Sequence, residues 1–105
     1  MAGAFLISEN VGVSMSSVAF DHIIEKVRGE FSNDEFIQLM CAFLPYDEEG
    51  MMFVDLRGVS DCEFDTFYRA TMRAMPKDIS QNKFSPTNEW GELHQKLSSD
   101  QRANT

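Results

Sequence analysis

The side chains able to do chemistry in this 105-residue chain are few. Two thiols, Cys41 and Cys62, are the candidate nucleophiles, and two imidazoles, His22 and His94, are the candidate general bases. Neither cysteine stands in a nucleophile elbow or a C-x-x-C redox pair. Cys62 falls in the first turn of an expected helix, where the dipole favours a thiolate, but Asp61, Glu63 and Asp65 surround it and oppose one. Both cysteines therefore read as inert, reduced thiols, and both histidines as structural or surface residues. The two Cys and two His lack zinc-ligand spacing. The acidic run Asp47-Glu48-Glu49-Gly50 superficially resembles a calcium loop. With Gly50 at loop position 6, however, Pro45 falls at position 1 and Leu56 at position 12, where an EF-hand needs oxygen ligands. The six glycines form no phosphate-binding loop. The expectation is a protein that is not an enzyme and holds no metal and no cofactor.

What rises above background is charge. Asp and Glu total 17 against 9 Lys and Arg, a net charge of −8. The excess is concentrated: residues 30–65 hold 10 acids and one Arg. Asp34, Glu35, Asp61 and Glu63 belong to first helical turns, where capping and the dipole favour acids. Without those four, the stretch still holds six acids to one base. Such a balance argues against nucleic acid as a direct ligand and against anionic membranes, since both select basic surfaces. It suits a basic protein partner. Tyr46 and Phe53 lie among the acids, and carboxylates with exposed aromatics make a partner-binding patch. The residues nominated for it are Tyr46, Asp47, Glu48, Glu49, Phe53, Asp55, Asp61 and Asp65.

These residues need a scaffold, and periodicity supplies one. Residues 4–8 read as a buried strand; residues 9–15 read as either a second hairpin strand or a loop. Phe20, Ile23, Ile24, Val27 and Phe31 share a helical face, predicting a helix over 16–29 capped by Ser16 or Ser17. Ser32 and Glu35 form a capping box, with Phe31 and Phe36 as a hydrophobic staple, and open a helix over 32–44 that Pro45 stops. Alternation predicts a strand over 51–57, with Met52, Val54 and Leu56 on one face. Ser60 and Glu63 repeat the box, and Val59 and Phe64 the staple, for a helix over 60–75 ended by Pro76. A polar loop follows, then a helix over 87–98 with Trp90, Leu93 and Leu97 inward. Phe36, Phe43, Phe64, Phe67 and Met72 are expected to be mostly buried. The fold class is α+β: a mostly helical single domain over 1–98, about four helices on a small sheet of two or three strands, with a flexible tail over 99–105.

No run approaches the roughly 20 apolar residues of a membrane helix. The start lacks a basic region ahead of its short apolar run, so a cytoplasmic protein is expected.

In size and acidity, with Asp47-Glu48-Glu49 and aromatics nearby, the chain resembles the bacterial immunity proteins of contact-dependent growth inhibition. The resemblance implies a stoichiometric inhibitor that binds and neutralises a basic toxin domain, expected to be a nuclease, through the acidic surface. The alternative reading is a regulatory or adaptor module that binds another protein through an exposed Met/Phe surface.

Overall fold

Alternation at the start of the chain builds a hairpin, and so decides how residues 9–15 fold. In the computed structural model, which describes residues 2–104, β1 (Ala2–Ser8) pairs antiparallel with β2 (Val11–Ser16). After β2 come α1 (Ser17–Arg28), α2 (Asn33–Gln38), α3 (Met40–Glu48), β3 (Phe53–Asp55), α4 (Asp61–Gln81) and α5 (Thr87–Ser98). A short 3-10 turn, Gln101–Asn104, follows. β3 returns parallel to β1 on its free edge, giving the order β2-β1-β3. The α+β class therefore holds, with five helices and three strands.

The sheet is one-sided. Phe5, Ile7, Val13, Met15, Val54 and Leu56 are buried on its inner face, against Phe20, Ile23 and Val27 of α1, Phe64 and Phe67 of α4, and Trp90, Leu93 and Leu97 of α5. Gly3 lets α1 approach: a Cβ there would lie 2.2 Å from the Phe20 ring. Phe53 and Asp55 project to the outer face, paired with Ala4 and Leu6. Only three of the seven residues expected in this strand are strand-paired, but Ala4 N–H to the Met52 carbonyl and Leu56 N–H to the Leu6 carbonyl extend the connection at both ends.

Capping worked as the sequence indicated. Ser16 caps α1, and Ser32 and Ser60 each form a full capping box. The prolines did not act as stops. Pro45 lies inside α3 and Pro76 inside α4, which continues to Gln81 through the expected loop. A proline costs its helix one N–H bond, to the carbonyl four residues back. Those carbonyls belong to Cys41 and Met72, both exposed, so solvent can replace the missing donor. α4 gains by continuing, because its buried stripe (Phe64, Phe67, Ala70, Thr71, Ala74) ends at the buried Asp78. Weighing only large apolar residues rotates this stripe; the small Ala70 and Ala74 face the core, and Met72 is exposed.

The expected single helix over 32–44 is broken at Leu39 (φ −101°, ψ 9°), which ends α2 and begins α3. Leu39 and Phe43 point into the core, while the change of axis carries Phe36 out of it. Phe31 still packs on the core, edge-on to Phe43. The anticipated partnership of Phe31 with a buried Phe36 is thus replaced. Tyr46, Asp47 and Glu48 are helical rather than part of a turn; the turn comes at Gly50, where φ is +67°.

The chain's end packs down. Arg102, within the stretch read as a tail, donates to the carbonyls of Ile7 (2.7 Å), Leu56 (2.8 Å) and Val59 (3.0 Å), and its guanidinium lies 4.3 Å from the Phe64 ring centre. Asp100 accepts from Arg102 and is held below its ordinary pKa by that hydrogen bond. The expected limits at Met1 and Thr105 lie outside the described residues. Among those residues, no helix is long and apolar enough to cross a membrane.

Candidate functional site: the surface of α2, α3 and the start of α4

The six acids among the eight nominated residues occupy three neighbourhoods, and Tyr46 and Phe53 lie apart from them. Asp47 and Glu48, in the last turn of α3, line a groove of about 280 Å³ with Arg28, Phe36, Met40 and Leu44. Glu49 and Asp55 line a second groove, with Cys41, Leu44, Pro45, Val59 and Glu63. Leu44 belongs to both, so these four acids flank one helix.

Asp61 and Asp65 stand apart from α2. Cys62 and Thr66 face it through Gln38, whose amide donates to Cys62 Sγ at 3.6 Å and whose Oε1 accepts from Thr66 Oγ1 at 3.3 Å. Asp61 and Asp65 each precede these by one residue, about 100° around the helix. Tyr46 turns inward from α3: its ring is edge-on to Phe20 and its hydroxyl donates to Asp21 at 2.8 Å. That bond, with burial and the Asp21 charge, raises the phenol above its usual pKa. Phe53 lies half-buried on the outer sheet face.

Counting charges along the sequence overstates the field, because several acids are neutralised locally. Arg28 binds Asp47 through both guanidinium nitrogens, one at 2.9 Å. Arg57 binds Asp55 at 2.9 Å through two contacts, and their hydrogen bonding lowers the Asp55 pKa. Arg69 meets Asp65 at 2.8 Å, and Lys77 and Arg73 meet Glu30 at 2.9 and 3.4 Å. Among the described residues, Asp34, Glu35, Glu48, Glu49, Asp61 and Glu63 form no salt bridge. Glu35 and Glu63 do accept backbone N–H bonds in the capping boxes. Four of the six, Asp34, Glu35, Glu48 and Glu49, belong to α2 and the end of α3.

The apolar character of this surface departs from the expectation of a buried Phe36. Phe36 (42% exposed), Ile37 (65%), Met40 (51%) and Leu44 (46%) form an uncovered band, and α2 buries none of its residues. Periodicity alone assigns such residues to a core; only the bend at Leu39 turns them outward. Arg28 bridges the two characters. Its guanidinium lies 5.1 Å from the Phe36 ring centre and 4.6 Å from that of Phe43, while it holds Asp47.

The histidines take structural places. His22 donates from Nε2 to Asp78 at 2.9 Å; an ionised carboxylate only accepts, so Nε2 carries the proton. Ser85 Oγ (2.6 Å) and Trp90 Nε1 (2.9 Å) donate to the same carboxylate. Burial opposes ionisation of Asp78, but these three donors outweigh it and lower its pKa. His94 stacks on Tyr68. Both thiols are free and exposed. Among the described residues, no three His, Cys, Asp or Glu side chains gather closely enough to hold a metal ion.

No known family's sequence profile matches the chain. The immunity protein CdiI of Burkholderia pseudomallei is 28% identical over 103 residues, spanning 97% of this chain and 94% of that protein. A chain in the solved complex of the CdiA-CT toxin from Burkholderia pseudomallei E479 with its cognate CdiI immunity protein matches with a TM-score of 0.88 and 26% identity. That match covers 96% of this chain and 98% of the other. The likeness to contact-dependent growth inhibition immunity proteins stands on these comparisons.

Proposed function

We propose that this chain is an immunity protein: a stoichiometric inhibitor, not an enzyme, that binds and neutralises a cognate toxin domain inside the cell producing both. The observation that carries the reading is likeness over nearly the full length, in sequence and fold, to a protein solved in complex with its toxin. The finer reading is that the toxin is a basic nuclease. An enzyme that grips phosphate must be basic where it does so. Carboxylates offered there occupy the place of the nucleic-acid backbone. Glu48 and Glu49, unpaired at the end of α3, support this reading, with Asp61 as a more distant contributor. Asp47, Asp55 and Asp65 act as halves of ion pairs.

The test is co-expression with the cognate toxin domain that this reading requires. Cells should be protected from growth arrest, and a one-to-one complex should co-elute in gel filtration. Arrest despite soluble expression, with no complex, refutes the reading. Changing Glu48 and Glu49 to Gln should slow association and flatten its salt dependence. An unchanged rate at low and high salt removes the electrostatic part alone.

A further inference from the structure

We infer that the uncovered apolar band of α2 and α3, namely Phe36, Ile37, Met40 and Leu44, is the dry centre of the toxin-binding surface. Its occupant is a toxin segment with an apolar or aromatic anchor flanked by Lys or Arg. This rests on the immunity reading above and adds which face binds and by what chemistry.

Three observations converge on the band. The first is that α2 forms although none of its residues is fully buried. Its six residues are held by the Ser32–Glu35 capping box, by Gln38 against Cys62 and Thr66, and by Arg28 over Phe36. A helix that contributes no core residue yet presents Phe36 and Ile37 outward is organised toward its outer side. The second is contiguity. Phe36, Met40 and Leu44 line one groove, and Leu44 continues into the next. Adjoining large apolar side chains left uncovered mark interaction surfaces, whereas scattered ones do not. The third is the rim. Asp34, Glu35, Glu48 and Glu49 border the band without salt bridges among the described residues.

The rim decides the occupant. A second copy of this chain would bring four acids against four, in a molecule of net charge −8. A basic toxin meets the same rim with opposite charge and can seat an apolar anchor at the centre. That is the usual division between an energetically dominant core and a polar rim.

The experiment measures binding kinetics of the full chain with the cognate toxin domain identified by the co-expression test, in a non-toxic variant. It compares wild type with the Ile37→Ser, Met40→Ser double variant. Val18→Ser and Phe84→Ser, at exposed apolar residues elsewhere, serve as controls. Thermal melts check the fold; should the serine pair melt early, Ile37→Thr with Met40→Gln carries the same test. The double variant should bind at least about thirtyfold more weakly, through faster dissociation. Its salt dependence should match wild type, and the controls should stay within about twofold. Wild-type affinity in the double variant, beside a wild type that still neutralises toxin, overturns the inference and leaves the immunity reading intact. A wild type that neither binds nor protects overturns that reading, and the inference with it. Sedimentation of the free chain should show a monomer. A dimer that the double variant dissolves would assign the face to a second copy, which also overturns the inference.

Discussion

Replacing Asp78 with Ala tests whether the interior is held by the one carboxylate buried among the described residues. Asp78 is 4% exposed and accepts hydrogen bonds from His22 on α1, Ser85 in the loop and Trp90 on α5. Alanine removes the acceptor and leaves all three donors. Trp90 is fully buried, so its indole N–H loses its partner with no water to replace it, costing about 1–3 kcal/mol. Ser85 and His22 are partly exposed and can turn to solvent, so each costs about 0.5–1.5 kcal/mol. The total is about 2–6 kcal/mol, or a melting point lower by roughly 10 °C or more for a domain of this size. Urea unfolding followed by fluorescence of Trp90, the single tryptophan, reads the loss directly. Asp78→Asn should cost less, because its carbonyl still serves Ser85 and Trp90. Acid separates the variants further. The folded-state pKa of Asp78 is lowered, so its ionised form adds stability above the unfolded pKa of about 3.9 and loses it as pH falls through the folded value. The gap between wild type and Asp78→Asn should therefore be flat near neutrality and narrow below about pH 4. An Asp78→Ala protein within about 0.5 kcal/mol of wild type refutes the reasoning, since surface substitutions cost no more.

Three further outcomes follow from the fold. Ser60→Ala should destabilise the protein by about 0.5–2 kcal/mol in chemical denaturation, because α4 spans the core; Ser32→Ala should cost less globally and show as faster amide exchange confined to α2. Arg102→Ala removes donors to three carbonyls, one on β1 and two on the β3–α4 connection, and should lower stability by about 2–4 kcal/mol, with exchange rising first around Ile7, Leu56 and Val59. Gly3→Ala forces a Cβ into the Phe20 ring and should cost at least about 1–3 kcal/mol by urea unfolding, whereas Gly58→Ala, with open space around it, should not.

Much of the fold was legible because its signals are local. A Ser three residues before a Glu satisfies backbone donors within one turn, so both capping boxes could be read directly, as could the short apolar run of β1 and the stripe of α5. Three features were not legible, each because its cause is distant in sequence. Pro76 sits inside a helix that still buries Asp78 beyond it, and Pro45 is itself buried and followed by Tyr46, whose ring meets Phe20; local rules for proline register neither. The end of the chain looked polar and loose because Arg102 finds its carbonyls up to 95 residues away. The bend at Leu39 divides one periodic apolar face into a buried half and an exposed half. The site suffered most from this last effect. The acids were counted correctly, but Arg28, Arg57 and Arg69 reduce the charge a partner meets. Of the uncovered apolar band, Phe36 is the residue expected in the core and found outside it.

In the proposed complex, charge and apolar surface would divide the work of binding along the reaction coordinate. Long-range attraction acts before contact, so Glu48 and Glu49 would govern how often a basic toxin arrives correctly oriented. Once it arrives, water screens the rim charges, and holding depends on apolar area withdrawn from solvent at the centre. Because Arg28 neutralises Asp47 while stacking over Phe36 and Phe43, it also fixes the boundary between the two regions. Arg28→Ala would release Asp47 and leave Phe36 without its cover. The acidic field should strengthen while the apolar platform loosens. On this reasoning the variant associates as fast as wild type or faster, and dissociates faster too. Removing a residue that merely filled surface would change neither rate.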